Sequence, residues 1–454
     1  MEKSENTKLK LSCEKSDEYR TKIHDLIPGG AHTYSKGKDT FPENVPEFIN
    51  SGKGAYVCDD KGKKYIDMAM GLSAVTIGHG INEIDNLVIE TIREGLNFQR
   101  PSYLELKFAK AFLKLIPQHD MIKFAKNGST VTTAATKLAR AYTVRELIAF
   151  PSQHPFFSYD DWFIGKTKCN YGIPNSVSDL SITFNGCNLD SLIKLFEDNH
   201  DKIACVIMEP VKFSCYGCNC NIHFSEYLNK AIEIVRQNGA VFILDEMITC
   251  YKADFPGITT KYNLNPDITT WGKSISNGYS FSCMTGKRDI MELGSVDRIG
   301  KKKVFLTSTT HGAETIGLRA ALETLNFYKK HEVIKHIHRL GEILIEKIKP
   351  IIEKNKLEKY IIIKPCPWFI AFEFYDKNQK ASLKFKTLFS QEMINSGILI
   401  QSSIVLSFSH TQKEIDCFLK AFKDFLILYK RALKGRIEDF VQGSFIKPVF
   451  REFN

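Results

Sequence analysis

A carboxylate and an amine each stand directly after an apolar run that is typical of a buried strand. Asp245 ends the run AVFILD, and Lys273 follows ITTWG. Ligands of open α/β sheets bind beyond the carboxyl ends of the strands, so both side chains are placed where chemistry occurs. A buried Asp can pair with a protonated pyridine nitrogen, and a Lys withdrawn from water can form a Schiff base with an aldehyde. Taken singly, the Asp can equally cap a turn and the Lys can lie at the surface.

A turn between a predicted strand and a predicted helix has the chemistry of a phosphate site. In MIKFAKNGSTVTTAATKLARAYT the turn falls at Asn127, Gly128 and Ser129. Free backbone N–H groups at a helix start attract phosphate, the Ser hydroxyl adds a donor, and glycine lets the backbone approach closely. The same residues can also form an ordinary capped helix.

An aromatic patch, HPFFSYDDWF, follows the predicted strand LIAF. It is too polar for a core strand, and an aromatic ring such as Phe156 can stack there on a flat ligand. Packing within the protein is the alternative interpretation of the same residues.

A short cysteine cluster offers soft ligands for a metal ion. Cys215, Cys218 and Cys220 are followed by His223. Structural zinc sites usually take two ligand pairs from separated segments, so we expect no metal here.

Length and composition exclude several classes of protein. The chain has 454 residues, of which 43% are hydrophobic and 25% charged, so it is neither a small binding module nor disordered. Its net charge of +10 is spread along the sequence, so nucleic acid is not the expected partner. We find no membrane helix or signal core and expect a cytoplasmic protein, with its 12 cysteines reduced.

Helix-like stretches alternate with short apolar runs from about residue 82 onward. This pattern predicts an α/β fold in which a mostly parallel central sheet is flanked by helices on both faces. A hairpin is expected near residues 55–67. After about residue 330 long helical patterns mix with strand-like runs, which predicts a smaller α+β domain. We therefore predict an N-terminal segment (1–70) that packs with the small domain, a large domain (71–330) and a small domain (331–454).

The order of phosphate turn, aromatic patch, Asp and Lys resembles that of the class III, fold-type I enzymes that depend on pyridoxal 5′-phosphate (PLP). Within them the chain is most similar to the glutamate-1-semialdehyde 2,1-aminomutase-like branch. The resemblance covers nearly the whole sequence, and its most specific motifs are ILDEMIT and WGKSISNG. Further motifs that carry it are IPGGAHTYSKG, GAYVCDDKGKKYIDMAMGLSAVTIGHG, KNGSTVTTAATKLARAYT, IMEPV, STTHGAE and SFSHT.

The resemblance implies roles for the residues at the centre of the site. Lys273 matches the lysine that holds the cofactor as a Schiff base and then moves the substrate proton. Asp245 matches the aspartate that keeps the pyridine nitrogen protonated, and Glu209 of IMEPV matches a glutamate on the substrate side. Ile248 stands where ornithine-type relatives have Gln, which favours the aminomutase-like branch.

The resemblance also implies roles for the residues around the cofactor. Gly128 and Ser129 match the phosphate-binding turn, with Asn127 where many relatives have Ser. Phe156 falls where relatives often have a Tyr that stacks on the ring. Thr309 matches the threonine that reaches the phosphate of the neighbouring subunit's cofactor, which implies a homodimer.

The substrate half of the site departs from true glutamate-1-semialdehyde aminomutases. The segment QSSIVLSFSHT is shorter than theirs, HTYSKG differs from their serine loop, and Cys250 with Lys252 replaces the more usual Gly and Arg. We therefore expect an aminotransferase or an aminomutase that acts on a small-molecule amino donor and a carbonyl acceptor. A different carbonyl, as in sugar or polysaccharide modification, and a non-catalytic PLP-binding or regulatory protein are the alternatives.

Overall fold

Strands and helices alternate along the part of the chain that the computed structural model describes, residues 22–186, 188–210 and 224–453. The strands are β1 (Ile49–Lys53), β2 (Tyr56–Asp59), β3 (Lys64–Asp67), β4 (Met121–Ala125), β5 (Leu147–Pro151), β6 (Ser181–Phe184), β7 (Ile203–Met208), β8 (Val241–Asp245), β9 (Ile268–Trp271), β10 (Ser282–Gly286), β11 (Ile361–Lys364), β12 (Ile370–Phe374), β13 (Ile398–Leu399) and β14 (Ser403–Ile404). The helices are α1 (Met70–Ser73), α2 (Asn82–Glu94), α3 (Tyr103–Leu113), α4 (Gly128–Thr143), α5 (Asp161–Ile164), α6 (Asn175–Ser178), α7 (Leu189–Asp198), α8 (Phe224–Gln237), α9 (Ile258–Lys261), α10 (Arg288–Met291), α11 (Thr315–Lys330), α12 (Val333–Lys354), α13 (Leu383–Asn395) and α14 (Gln412–Lys434).

The central sheet has seven strands in the order β4-β10-β9-β8-β7-β5-β6. β10 runs antiparallel to β4 and β9, and the other neighbours pair in parallel. The predicted α/β fold with a mostly parallel sheet is therefore confirmed. Because β7, β8 and β9 are parallel neighbours, their carboxyl ends meet at one edge of the sheet.

The central strands are buried on both faces. Every residue of β8 is buried. Phe242 and Leu244 belong to one core cluster, and Val241 and Ile243 belong to another. Successive side chains of a strand point to opposite faces, so this division places helices on both sides of the sheet. It also explains why the sequence shows continuous apolar runs rather than alternation.

Two smaller sheets lie outside the central one, in the orders β1-β2-β3-β13 and β11-β12-β14. The expected hairpin is present as the antiparallel pair β2 and β3. β3 also pairs in parallel with β13, with Ile66 opposite Ile398. This pairing supports the predicted packing of segment 1–70 with region 331–454, and those domain bounds stay a prediction. Among the described helices, none is long and apolar enough to span a membrane.

Candidate active site

Three neighbouring parallel strands deliver three ionisable side chains to one edge of the central sheet. Glu209 follows β7 directly, Asp245 is the last residue of β8, and Lys273 follows β9 after Gly272. Both Asp245 and Lys273 act electrostatically on the Glu209 carboxyl. The structure therefore brings together the acid, the amine and the second acid that the sequence singled out.

Asp245 is a buried carboxylate, with only 1% of its surface exposed. Its Oδ1 accepts hydrogen bonds from the backbone N–H of Met247 at 3.0 Å and from Thr270 Oγ1 at 2.8 Å. Burial raises the pKa of Asp245 to about 6, and those hydrogen bonds and Lys273 limit the rise. At neutral pH the side chain is thus an anion whose Oδ2 receives no hydrogen bond from the described residues.

Glu209 is buried beside Asp245, and the two carboxyl groups disfavour each other's ionisation. Burial raises the pKa of Glu209 to about 8, the charge of Asp245 adds to the rise, and Lys273 opposes it. Glu209 is therefore protonated at neutral pH, while Asp245 is ionised. Two adjacent carboxyl groups with separated pKa values can serve as a proton donor and a fixed anion.

Lys273 begins a single 3-10 turn, Lys273–Ser276, and is half-buried. Its φ of +46° is left-handed, a conformation that costs energy for a residue with a side chain. Backbone strain of this kind concentrates at functional sites, where surrounding contacts hold it.

A methionine separates the predicted phosphate turn from the residue before Lys273. A Cβ on Gly128 would lie 2.9 Å from Met247 Sδ, and a Cβ on Gly272 would lie 2.2 Å from the same atom. A Cβ on either glycine would therefore clash with Met247, and a Cβ on Gly272 would also lie 2.7 Å from Ser282 Oγ. The sequence gives no sign of this packing, because the three residues are far apart in the chain.

The predicted phosphate turn forms the start of a 16-residue helix, α4. The Asn127 side chain caps it, since Oδ1 accepts the backbone N–H of Thr130 at 2.9 Å. Ser129 Oγ accepts the backbone N–H of Tyr159 at 3.1 Å. The N–H groups of Gly128 and Ser129 precede the first intrahelical bonds and so have no acceptor within the helix.

The remaining predicted residues surround these elements. Ile248 is half-buried and packs against the large core cluster. Thr309 is exposed, in the loop before α11. Phe156 is 44% exposed, and its ring packs edge-on against Phe163 with centroids 5.7 Å apart. Stacking by Phe156 on a ligand stays a prediction.

The sequence reasoning missed His154, which lies after β5. Its Nδ1 accepts the backbone N–H of Glu209 at 3.1 Å, and burial lowers the pKa of His154 to about 4. The ring is therefore neutral, with its proton on Nε2. A polar aromatic residue three positions after the end of the run LIAFP was the available signal. The cluster of Cys215, Cys218, Cys220 and His223 lies outside the described residues.

Comparison with known proteins identifies the family. The family model for class III aminotransferases matches residues 39–426. Glutamate-1-semialdehyde 2,1-aminomutase 2 of Lachnoclostridium phytofermentans is 29% identical over 406 residues, which cover 84% of this chain and 92% of that protein. The 3-aminobutyryl-CoA aminotransferase of Cloacimonas acidaminovorans is 26% identical over 93% of this chain and 99% of its own length.

Solved structures agree on the fold. The PLP form of the FumI protein of Sphingopyxis sp. MTA144 superposes with a TM-score of 0.83 at 20% identity, covering 94% of this chain and 98% of that one. The family match covers most of the sequence, and the solved structure shares the fold. The chain belongs to the class III aminotransferases, enzymes that use pyridoxal 5′-phosphate to move amino groups.

Proposed function

We propose that Lys273 and Asp245 are the catalytic pair of this enzyme and that Glu209 completes the site. The observation that carries the proposal is the meeting of the three side chains at the carboxyl ends of β7, β8 and β9. In an open α/β sheet this edge is where ligands bind. The match of residues 39–426 to the family supports the same assignment.

The residues at this edge fit pyridoxal phosphate. The N–H groups at the start of α4, at Gly128 and Ser129, suit a phosphate, and Asn127 fixes that helix start. Asp245 offers a buried anion for the pyridine nitrogen, and Lys273 offers a primary amine for the aldehyde.

The chain's own groups then have distinct tasks. When bound, pyridoxal phosphate supplies a ring that accepts the electron pair of a broken C–H bond. Asp245 holds a proton at the pyridine nitrogen, because an ionised carboxylate in a buried site favours the cation beside it. Lys273 Nζ, freed when an amine substrate arrives, takes the proton from the substrate carbon and returns it. Glu209, neutral at pH 7, adds no second negative charge to the site.

We assign the reaction to amino-group transfer between a small-molecule donor and a carbonyl acceptor, or within one molecule. Both reactions share the first proton transfer by Lys273. The apolar, half-buried Ile248 supports the aminomutase-like branch over the ornithine-type one. A sugar carbonyl is the second candidate acceptor, since HTYSKG and QSSIVLSFSHT depart from the aminomutase pattern on the substrate side.

The proposed enzyme is a cytoplasmic homodimer in which Thr309 reaches the partner's cofactor phosphate. The exposure of Thr309 in a single chain supports that role, because a side chain that serves a neighbouring site must be accessible to it. The 12 cysteines are scattered along a long chain, a pattern typical of proteins in a reducing compartment. Phe156 is proposed to stack on the cofactor, and His154, whose ring accepts the backbone N–H of Glu209, is the alternative aromatic residue.

A single-turnover screen of amino donors on the purified holoenzyme tests the function. We expect at least one donor to abolish the cofactor's visible band, with a carbonyl product found by mass spectrometry for a transaminase. An aminomutase would instead return an isomer of the same mass. A holoenzyme whose spectrum no amine changes would support the non-catalytic, regulatory alternative and contradict the proposal.

A further inference from the structure

The segment that follows Asp245 contains a fully buried lysine for which the proposed reaction has no task. Lys252 is 0% exposed, and it is one of the largest completely buried side chains of the described residues. Lysine is almost never fully buried unless its amine is paired. The Lys252 amine therefore needs a structural or functional reason for its position.

The partners of this amine lie next to Lys273. Lys252 Nζ donates to Ser274 Oγ at 2.6 Å and to the backbone oxygen of Ser73 at 2.8 Å. Ser274 Oγ also donates to the Ser73 oxygen, at 3.2 Å. The three groups form a closed triangle that ties the residue after Lys273 to the α1 turn.

The same segment also holds the residue before Lys273. Cys250 Sγ donates to the backbone oxygen of Gly272 at 3.1 Å. The segment is itself fixed from outside, because Tyr328 Oη donates to the Tyr251 oxygen at 2.6 Å and His338 Nε2 bonds the Lys252 oxygen at 2.8 Å. Helices α11 and α12 therefore hold segment 250–252 in place. We call this segment the brace, because it hydrogen-bonds the residues on both sides of Lys273.

Both turns that the brace joins carry left-handed backbone. Lys273 has φ +46°, and on the α1 side Leu72 has φ +57° and Ser73 has φ +67°. Such conformations persist only where surrounding contacts hold them. Without the brace, the Lys273 turn would lose the contact that fixes its next residue.

We propose that Lys252 is a positioning residue that holds Lys273, through Ser274 Oγ, in the geometry needed to capture the cofactor. The inference rests on the proposed role of Lys273 and adds a second lysine that acts on it. Lys252 does not touch substrate. It works by fixing the turn and by placing a cationic group near the Lys273 amine.

The charged groups around Lys252 and Lys273 determine in which direction removal of the Lys252 amine changes the electrostatic potential at Lys273. The titratable groups that act on Lys252 are the Cys250 thiol on its own segment and Lys273 on the packed turn, and neither is a carboxylate. Burial lowers the pKa of Lys252 to about 7. Lys273 is faced in addition by Asp245 and Glu209. Removal of Lys252 therefore takes away a neighbouring amine that can carry positive charge and leaves the two acids in place, so the electrostatic potential at this turn becomes more negative.

The test compares K252M, K252R, S274A and the double variant K252M/S274A with the wild type. The matched control is K386M, because Lys386 of α13 also has a pKa lowered by burial but lies on the small α+β region. Each apoenzyme is mixed with pyridoxal phosphate, and the rate of the visible absorbance change gives the rate of covalent capture. The pH midpoint of that absorbance is then titrated.

We expect K252M to capture the cofactor about tenfold more slowly, as loss of a buried hydrogen bond would give. Its absorbance midpoint should move to higher pH. K252R should restore most of the capture rate and of the absorbance midpoint, and K386M should match the wild type in both. The double variant should capture the cofactor no more slowly than K252M, because the Lys252 amine and the Ser274 hydroxyl act as one unit.

Two results would overturn the inference: a folded K252M with wild-type capture rate and midpoint, or additive effects of K252M and S274A. If K252M does not fold, S274A decides, since wild-type capture by S274A would equally exclude the brace. Borohydride labelling of the wild type separates this failure from failure of the proposed function. A label absent from Lys273 in the wild type contradicts the function itself, whereas a label present there leaves the function intact.

Discussion

Replacing Asp245 with Asn should lower activity and raise the stability of the apoenzyme at the same time. The amide keeps the size of the side chain, and its Oδ1 can still accept the hydrogen bonds from Met247 and Thr270. What is lost is the negative charge. The variant therefore isolates the electrostatic contribution of Asp245 from its contribution to packing.

The expected loss of activity follows from removing a preorganised charge in a buried site. Loss of one such stabilising group typically costs about 10²–10³ in kcat. We expect D245N to show a decrease of that size in the half-reaction with an amino donor, while borohydride still labels Lys273.

The expected gain in stability follows from the pKa of Asp245, which burial raises from 3.8 to about 6. An acid with a raised pKa stabilises the fold below the pKa of the unfolded chain and loses that contribution as pH rises through the folded value. At pH 7.5 the shift corresponds to about 3 kcal/mol of destabilisation of the apoenzyme. D245N should recover part of it, measured by urea unfolding of cofactor-free protein.

Asp267 provides the matched control at the opposite end of β9. Its carboxylate is also buried, but it accepts the backbone N–H of Phe242 at 2.8 Å and pairs with Arg236 and Lys287. D267N should therefore destabilise the apoenzyme by about 1–3 kcal/mol and leave kcat within a few-fold. The reasoning is refuted if D245N keeps wild-type kcat, or if its apoenzyme is destabilised as D267N is.

Two further predictions concern Glu209 and Thr309. Because Glu209 has a pKa of about 8, wild-type activity should fall as pH rises through that value and a second carboxylate forms beside Asp245. E209Q should keep its neutral-pH activity and lack this decline. A pH profile of kcat for both proteins checks this. Wild-type stability should likewise fall between pH 4.5 and 8, whereas unfolding of E209Q should not show this change; identical profiles for both proteins would refute the assignment. If Thr309 serves the partner's site, K273A and T309A should each be inactive. Exchange of equal amounts of their subunits should restore about a quarter of wild-type activity, because about half of the dimers are then mixed and each mixed dimer holds one intact site of two. Mixtures that stay inactive, although exchange is verified by mass, would contradict the shared site.

Local patterns in the sequence predict the central elements well. Each of β7, β8 and β9 is a buried run with an ionisable residue at its carboxyl end or within two residues of it. Parallel pairing then places Glu209, Asp245 and Lys273 at one edge. Burial on both faces leaves a strong local signal, so the strands and the order of the site residues could be predicted. The helix start at Gly128 was equally visible, because its Asn cap is adjacent in sequence.

Features that depend on contacts between distant segments could not be predicted. The antiparallel insertion of β10 between β4 and β9 has no local signature. The hydrogen bond from Glu209 to His154 joins residues that follow different strands, and the burial of Lys252 depends on Ser73 and Ser274. Nothing in the spacing of these residues shows that they meet.

The central claim is that Lys273 is the amine that holds pyridoxal phosphate, and peptide mapping after borohydride reduction of the holoenzyme tests it most directly. The account predicts a single modified peptide that contains the sequence WGKSISNG, with the added mass on Lys273. Modification of Lys252 instead, the buried amine that lies beside the same turn, or of any other lysine would contradict it.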